Sequence, residues 1–96
     1  MENTIEKNLN EIIKYDAYGN TIYYKNSNVE YSVINEYDSN NNLIHSKYSD
    51  GTEYWFEYDD NGNIVHYKEK DYEEWFKYDN GNVIYYKDSD ENEIMY

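Results

Sequence analysis

Ninety-six residues carry 21 acidic groups against eight lysines, with no arginine and no cysteine, for a formal charge of −13. That length is expected to form one domain, residues 1–96. The missing cysteines exclude a disulfide framework and a thiolate metal site, and the charge disfavours direct contact with nucleic acid or anionic lipid.

Taken in chain order, the sequence alternates short apolar–polar runs with turn residues. Residues 1–10 read as a first strand, with a short helix over Thr4–Asn10 capped by Thr4 as the alternative. Glu11–Tyr15 is a strand, Asp16–Asn20 a turn and Thr21–Lys25 a strand, and Asn26-Ser27-Asn28 turns the chain back. Val29–Tyr37 is the longest strand, two residues longer than its equivalents, and the excess predicts a bulge. A polar loop, Asp38–Asn42, leads into Leu43–Tyr48. The Asp50-Gly51 turn precedes Thr52–Tyr58, Asp59–Asn63 turns into Ile64–Lys68, and Lys70-Asp71 turns into Tyr72–Tyr78. Asp79-Asn80-Gly81 then leads to Asn82–Lys87, and Asp88–Asn92 to Glu93–Tyr96. Nine or ten strands joined by short loops imply an all-β antiparallel meander, one twisted sheet of hairpins about 20 residues long. No stretch is long and apolar enough to span a membrane. Met1-Glu2-Asn3-Thr4 is unlike a signal peptide, so the expected location is cytoplasmic.

The hairpins repeat. Tyr15-Asp16, Tyr37-Asp38, Tyr58-Asp59 and Tyr78-Asp79 are spaced by 22, 21 and 20 residues. Gly-Asn follows three of them, at Gly19-Asn20, Gly62-Asn63 and Gly81-Asn82; after Tyr37-Asp38, Asn41 replaces the glycine, and asparagine tolerates the left-handed conformation best among the other residues. Glu53, Trp55 and Phe56 recur as Glu73, Trp75 and Phe76, then as Glu93, Met95 and Tyr96. Tyr-Asp-x-x-Gly-Asn-x-Ile with a following Ser49-Asp50-Gly51 turn resembles the tyrosine–aspartate repeats of Rhs-type proteins, over about residues 12–96. The resemblance implies strings of antiparallel hairpins. In that family they often curl into a large shell, for which this chain is too short, and no toxin or protease segment is present.

Only 39% of residues are hydrophobic, and 15 are tyrosine. Low hydropathy with this charge is the composition of disorder, but strand periodicity, aromatic content and turn punctuation argue for a fold. Tyrosine suits a thin sheet with both faces near water. Alternation places Tyr54, Phe56 and Tyr58 on one face, with Glu53, Trp55 and Glu57 on the other. Likewise Glu74, Phe76 and Tyr78 oppose Glu73, Trp75 and Lys77. The Phe/Tyr face is expected to cover itself by curling of the sheet, and Trp55, Trp75 and Met95 to form a row.

An indole row among carboxylates suits a partner bearing lysine or arginine, although indoles can also simply cover the sheet. The acidic residues can imitate a phosphate backbone, or serve solubility and block edge-to-edge association. The partner-binding candidates are Glu53, Trp55, Glu57, Asp59, Asp60, Glu73 and Trp75. Asp59-Asp60-Asn61-Gly62-Asn63 lacks the spacing and closing glutamate of a calcium loop. His45 and His66 share one repeat position and have no third ligand, so they read as ladder residues. Nothing implies a cofactor, and no residue breaks the repeat as a catalytic group would.

Together these features point to a non-enzymatic acidic inhibitor or immunity-like protein binding a basic, nucleic-acid-handling partner such as a nuclease effector. Phage-encoded inhibitors of bacterial nuclease defence, including anti-CRISPR proteins, are similar in size and charge. The alternative is a structural or surface-recognition module for carbohydrate or protein. The first and last strands can also pair between chains, giving a homodimer through sheet edges.

Overall fold

A computed structural model describes the backbone of residues 3–8 and the whole of residues 10–96. Ten strands are hydrogen-bonded in chain order as an antiparallel meander, with no helix among the described residues. The strands are β1 (Asn3–Asn8), β2 (Glu11–Tyr15), β3 (Thr21–Asn26), β4 (Tyr31–Tyr37), β5 (Leu43–Tyr48), β6 (Glu53–Tyr58), β7 (Ile64–Glu69), β8 (Tyr72–Asp79), β9 (Asn82–Asp88) and β10 (Glu93–Met95). Residues 3–8 thus form a strand rather than the alternative helix. No helix in the described residues is long and apolar enough to cross a membrane. The chain divides into two compact units, Met1–Glu53 and Tyr54–Tyr96.

The turn chemistry explains the hairpins. In the loop Asp59–Asn63, the Asp59 carboxylate accepts from the amides of Asn61 at 2.9 Å and Asn63 at 3.0 Å, and from the Asn63 side chain at 3.3 Å. The Asp59 amide donates to the Asn63 carbonyl at 2.9 Å, and the Gly62 amide returns to the Asp59 carbonyl at 3.1 Å. Gly62 has a φ of 83°, which a side chain would resist. The same loop forms at 16–20 and 38–42, where Asn41 takes the left-handed position with a φ of 65°. Aspartate opens and asparagine closes each loop because one side chain accepts what the other and the backbone donate. The same loop also forms at 88–92, with Glu91 at a φ of 69°. At 79–82 the hairpin is tighter: Asp79 pairs directly with Asn82, and Asn80 and Gly81 both have positive φ.

The bulges are not where the length of residues 29–37 predicts. Val29 and Glu30 lie in the turn before β4, and β3–β4 pair without a slip. The extra residues fall instead just after each Tyr-Asp loop. Lys14 pairs with Tyr23 but Tyr15 with Thr21, so Ile22 is inserted. Ile44, Val65 and Ile84 are inserted in the same way. Such an insertion bends the strand away from its next neighbour. The β3–β4 ladder accordingly ends at Tyr23–Ile34, and the β7–β8 ladder at His66–Trp75. The carbonyls left beyond the ladder, those of Thr21 and Ile64, accept from the hydroxyls of Tyr37 at 2.9 Å and Tyr78 at 2.8 Å. A hydroxyl at the repeat tyrosine therefore completes the backbone pairing.

The core is thin. Among the described residues of the first unit Ile13 and Val33 are the buried apolar ones, and no described side chain is fully enclosed. Tyr31 lies against Tyr24 and Tyr48 at 5.9 and 5.8 Å. The buried Ser46 donates to Asn35 at 2.7 Å where the second unit has aromatic pairs. There Phe56 meets Tyr67 at 5.4 Å and Phe76 meets Tyr86 at 5.2 Å. The Phe/Tyr face is thus half-buried by its own cross-strand neighbours.

Candidate functional site

Both tryptophans belong to the second unit. Trp55 on β6 pairs with Lys68 on β7, and Lys68 pairs onward with Glu73 on β8. The neighbouring row runs Glu57–His66–Trp75–Lys87–Glu93 from β6 to β10. A third runs Lys77–Tyr85–Met95. Trp55, Trp75 and Met95 therefore do not share a row. Each hairpin advances the pairing by two residues, about 7 Å along the strand, and the three residues form a diagonal.

The face is balanced in charge. Glu57, Glu73 and Glu93 alternate with Lys68, Lys77 and Lys87. The Lys68 ammonium lies 5.6 Å from the Trp55 ring centre and Lys77 lies 5.1 Å from that of Tyr85. Trp75 stacks on His66 at 5.4 Å with the rings 10° from parallel. Each indole is 36% exposed, so one ring surface is engaged within the chain while part remains open.

The glutamates are engaged as well. The His66 Nε2 donates to Glu73 at 2.8 Å, and its Nδ1 lies 3.6 Å from the exposed Glu57. In the first unit His45 bridges Glu53 at 2.6 Å and Glu36 at 3.2 Å. Burial favours the neutral His45 ring, but its hydrogen bonds to the Glu53 and Glu36 carboxylates outweigh it and raise its pKa above the ordinary value. The two carboxylates lie at opposite ring nitrogens, an arrangement that bridges strands and does not converge on one point as metal ligands do. The described residues contain no group of three or more metal-ligating side chains.

On the opposite face of the second unit, phenols hold carboxylates without lysine. Tyr67 donates to Glu69 at 2.9 Å; Tyr72 and Tyr86 each reach Glu74 at 2.8 Å, and Tyr86 reaches the buried Asp88 at 2.8 Å. Burial and the Glu69 carboxylate push the Tyr67 hydroxyl up to about 12. Hydrogen bonding to Tyr72, burial and two carboxylates raise Tyr86 further.

Much of the acidity stands in the loops. Asp59 and Asp60 lie at the tip joining β6 and β7. Hydrogen bonds from Asn63 and Asn61 hold the Asp59 carboxyl below its ordinary pKa despite some burial. Asp38 is lowered by its own loop amides, Asn42 foremost. At Asp16 the bonds from Asn20 and Tyr18 overcome the opposing effect of burial. In the first unit the loops 16–20 and 38–42 touch through an Asn20–Asn41 side-chain bond of 3.0 Å. Within a unit, successive loops on the same side are two strands apart, about 10 Å.

Of the seven candidates, Trp55, Glu57, Glu73 and Trp75 share one face of the second unit, Asp59 and Asp60 stand at its loop, and Glu53 belongs to the first unit. Sequence reasoning passed over the lysines at a fixed place in each second strand, Lys25, Lys47, Lys68 and Lys87, which were visible as a repeat. A shallow open concavity of about 350 Å³ in the first unit is lined by Lys25, Ser27, Glu30, Tyr31 and Ser32. Compared with known proteins, the chain matches no family model and no curated protein.

Proposed function

We propose that the chain is a non-catalytic, cytoplasmic inhibitor or immunity-like protein, and that its acidic hairpin loops bind a basic nucleic-acid-handling protein. The observation that carries this reading is the set of aspartate loops. Asp16, Asp38 and Asp59 are pinned by backbone amides and held ionised. Each therefore presents negative charge at a fixed place within its own unit, with little ordering cost on binding. The Trp55–Trp75 face, with lysines beside its carboxylates, supplies aromatic area next to the Asp59 loop and contributes less net charge. Carboxylates in place of phosphates give a bond that salt weakens. The resemblance to tyrosine–aspartate repeats bears on the hairpins and leaves this reading independent.

The test is capture from lysate with the tagged chain, washed at low and high salt, followed by competition with RNA or DNA. A basic nucleic-acid-binding protein, lost at high salt and displaced by nucleic acid, supports the reading. Asp59→Asn with Asp60→Asn keeps hydrogen-bond acceptors in the loop and removes charge, so it should weaken capture more than Trp55→Ala. Retention that is indifferent to salt, as expected for a glycan-type contact, overturns the proposal.

A further inference from the structure

The chain contains two Asn-Gly pairs, Asn61-Gly62 and Asn80-Gly81, both in exposed turns but held in different ways. A glycine amide next to asparagine is the least hindered backbone nucleophile for the Asn side-chain carbonyl. At Asn61 that nucleophile is engaged, because the Gly62 amide donates to the Asp59 carbonyl at 3.1 Å. The Asn61 amide is tied to the Asp59 carboxylate at 2.9 Å, and the loop is closed by the reciprocal Asp59–Asn63 bonds. Two adjacent aspartates, Asp59 and Asp60, further oppose loss of an amide proton there.

Asn80-Gly81 has none of these hydrogen-bond restraints, and one aspartate, Asp79, precedes it where two precede Asn61. It is a two-residue turn between the paired residues Asp79 and Asn82, and the Gly81 amide donates to no acceptor among the described residues. Asn80 is held at a φ of 52°, a conformation that side chains other than glycine adopt at a cost.

We propose that Asn80-Gly81 is a site of spontaneous modification in the folded chain, and that the aspartate loop protects Asn61-Gly62 from the same reaction. The Gly81 nitrogen loses its proton to solvent base and attacks the Asn80 side-chain carbonyl carbon. The side-chain amide leaves as ammonia, and a five-membered imide remains. Water then opens the imide. Breaking the bond from nitrogen to the former side-chain carbonyl gives aspartate; breaking the bond to the former backbone carbonyl gives isoaspartate. Water is the only co-reactant. Either product adds one negative charge to the β8–β9 turn, and isoaspartate also inserts a methylene into its backbone.

The experiment incubates the whole chain in mildly alkaline buffer, native and in urea, and follows both sites by peptide mass spectrometry with isoaspartate detection. In the native chain Asn80 should convert faster than Asn61 by at least about five-fold, the equilibrium factor of one ordinary hydrogen bond. In urea the two rates should converge. Asp59→Ala, which unpins the loop, should raise the native Asn61 rate towards that of Asn80. Equal native rates, a faster Asn61, or a selectivity that persists in urea would overturn the proposal, as would an Asp59→Ala chain in which Asn61 reacts no faster.

Discussion

Replacing Tyr78 with phenylalanine isolates the role of the repeat tyrosine. The ring keeps its place beside Phe76, 6.4 Å away, and only the hydroxyl that serves the Ile64 carbonyl is lost. An ordinary hydrogen bond contributes about 1 kcal/mol net, and a carbonyl left without a partner costs more where water cannot replace the donor. For a domain of this size, 1 kcal/mol shifts the thermal midpoint by about 4–8 °C. Tyr37→Phe removes the equivalent bond to Thr21, but that carbonyl also accepts from the Asn35 side chain at 3.1 Å and so keeps a donor. Tyr78→Phe is therefore expected to cost more than Tyr37→Phe, although both delete the same atom. Both tryptophans lie in the unit that contains Tyr78, so indole emission during heating or urea titration reads that unit, and far-ultraviolet circular dichroism reads the unit that contains Tyr37 and Tyr18 as well. Tyr18→Phe, at a 79% exposed loop position, is the control. If Tyr78→Phe matches this control, or costs less than Tyr37→Phe, the account of the bulge carbonyl is wrong.

Four further expectations follow from named groups. Burial lifts the Tyr78 hydroxyl above its ordinary value, aided by Asp59. Its contribution is therefore complete below the unfolded tyrosine value of about 10 and lost as pH rises through the folded value; alkaline unfolding curves of wild type and Tyr78→Phe should converge there. The raised pKa of His45 gives a stabilisation that is complete below about pH 6.5 and lost as pH rises through the folded value. Thermal midpoints across neutrality should show that decline in wild type and a weaker one in His45→Gln. Asp38 has a lowered pKa, so its contribution is present above about pH 3.9 and disappears as pH falls through the folded value; Asp38→Ala should flatten the acid limb of the midpoint–pH curve. Glu91 occupies the position that Gly62 fills in its own loop, at a φ of 69°. Glu91→Gly should relieve backbone strain of about 1 kcal/mol, partly offset by unfolded-state entropy, and raise the midpoint where Glu91→Ala does not.

The hairpins were legible because aspartate, asparagine and glycine act locally: Asp59 and Asn63 hold each other across five residues whatever surrounds them. The 88–92 loop carries the same two end residues, and only the glutamate at its left-handed position obscures the match. The bulges were not legible. An inserted Ile22 or Val65 keeps the apolar character of its strand, and the slip becomes visible only when the partner strand is known. The same slip staggered the tryptophans, since a two-residue advance per hairpin cannot be read from a repeat of about 20 residues. The strand-crossing clamp at His66 was hidden for a related reason, because Glu73 reaches it diagonally rather than from the directly paired position.

That stagger also changes what the acidic composition means for recognition. Alternation alone makes Glu53, Trp55 and Glu57 look like an indole bordered by carboxylates. The pairing sets Lys68 against Trp55 and Lys87 against Trp75, and it places histidine nitrogens beside Glu53, Glu57 and Glu73. A basic partner approaching that face must displace or accommodate ammonium groups already on it, and like charges brought together oppose binding. The loop carboxylates stand differently: their hydrogen bonds come from neutral amides, which hold the charge in place without cancelling it. A cationic surface therefore meets less opposition along the loops than across the sheet. On this argument, adding salt should weaken binding through the loops steeply, while neutralising Lys68 with Lys68→Gln should strengthen capture of a basic partner rather than abolish it. A Lys68→Gln chain that loses its partner would place recognition on the lysine-bearing face and reverse the assignment.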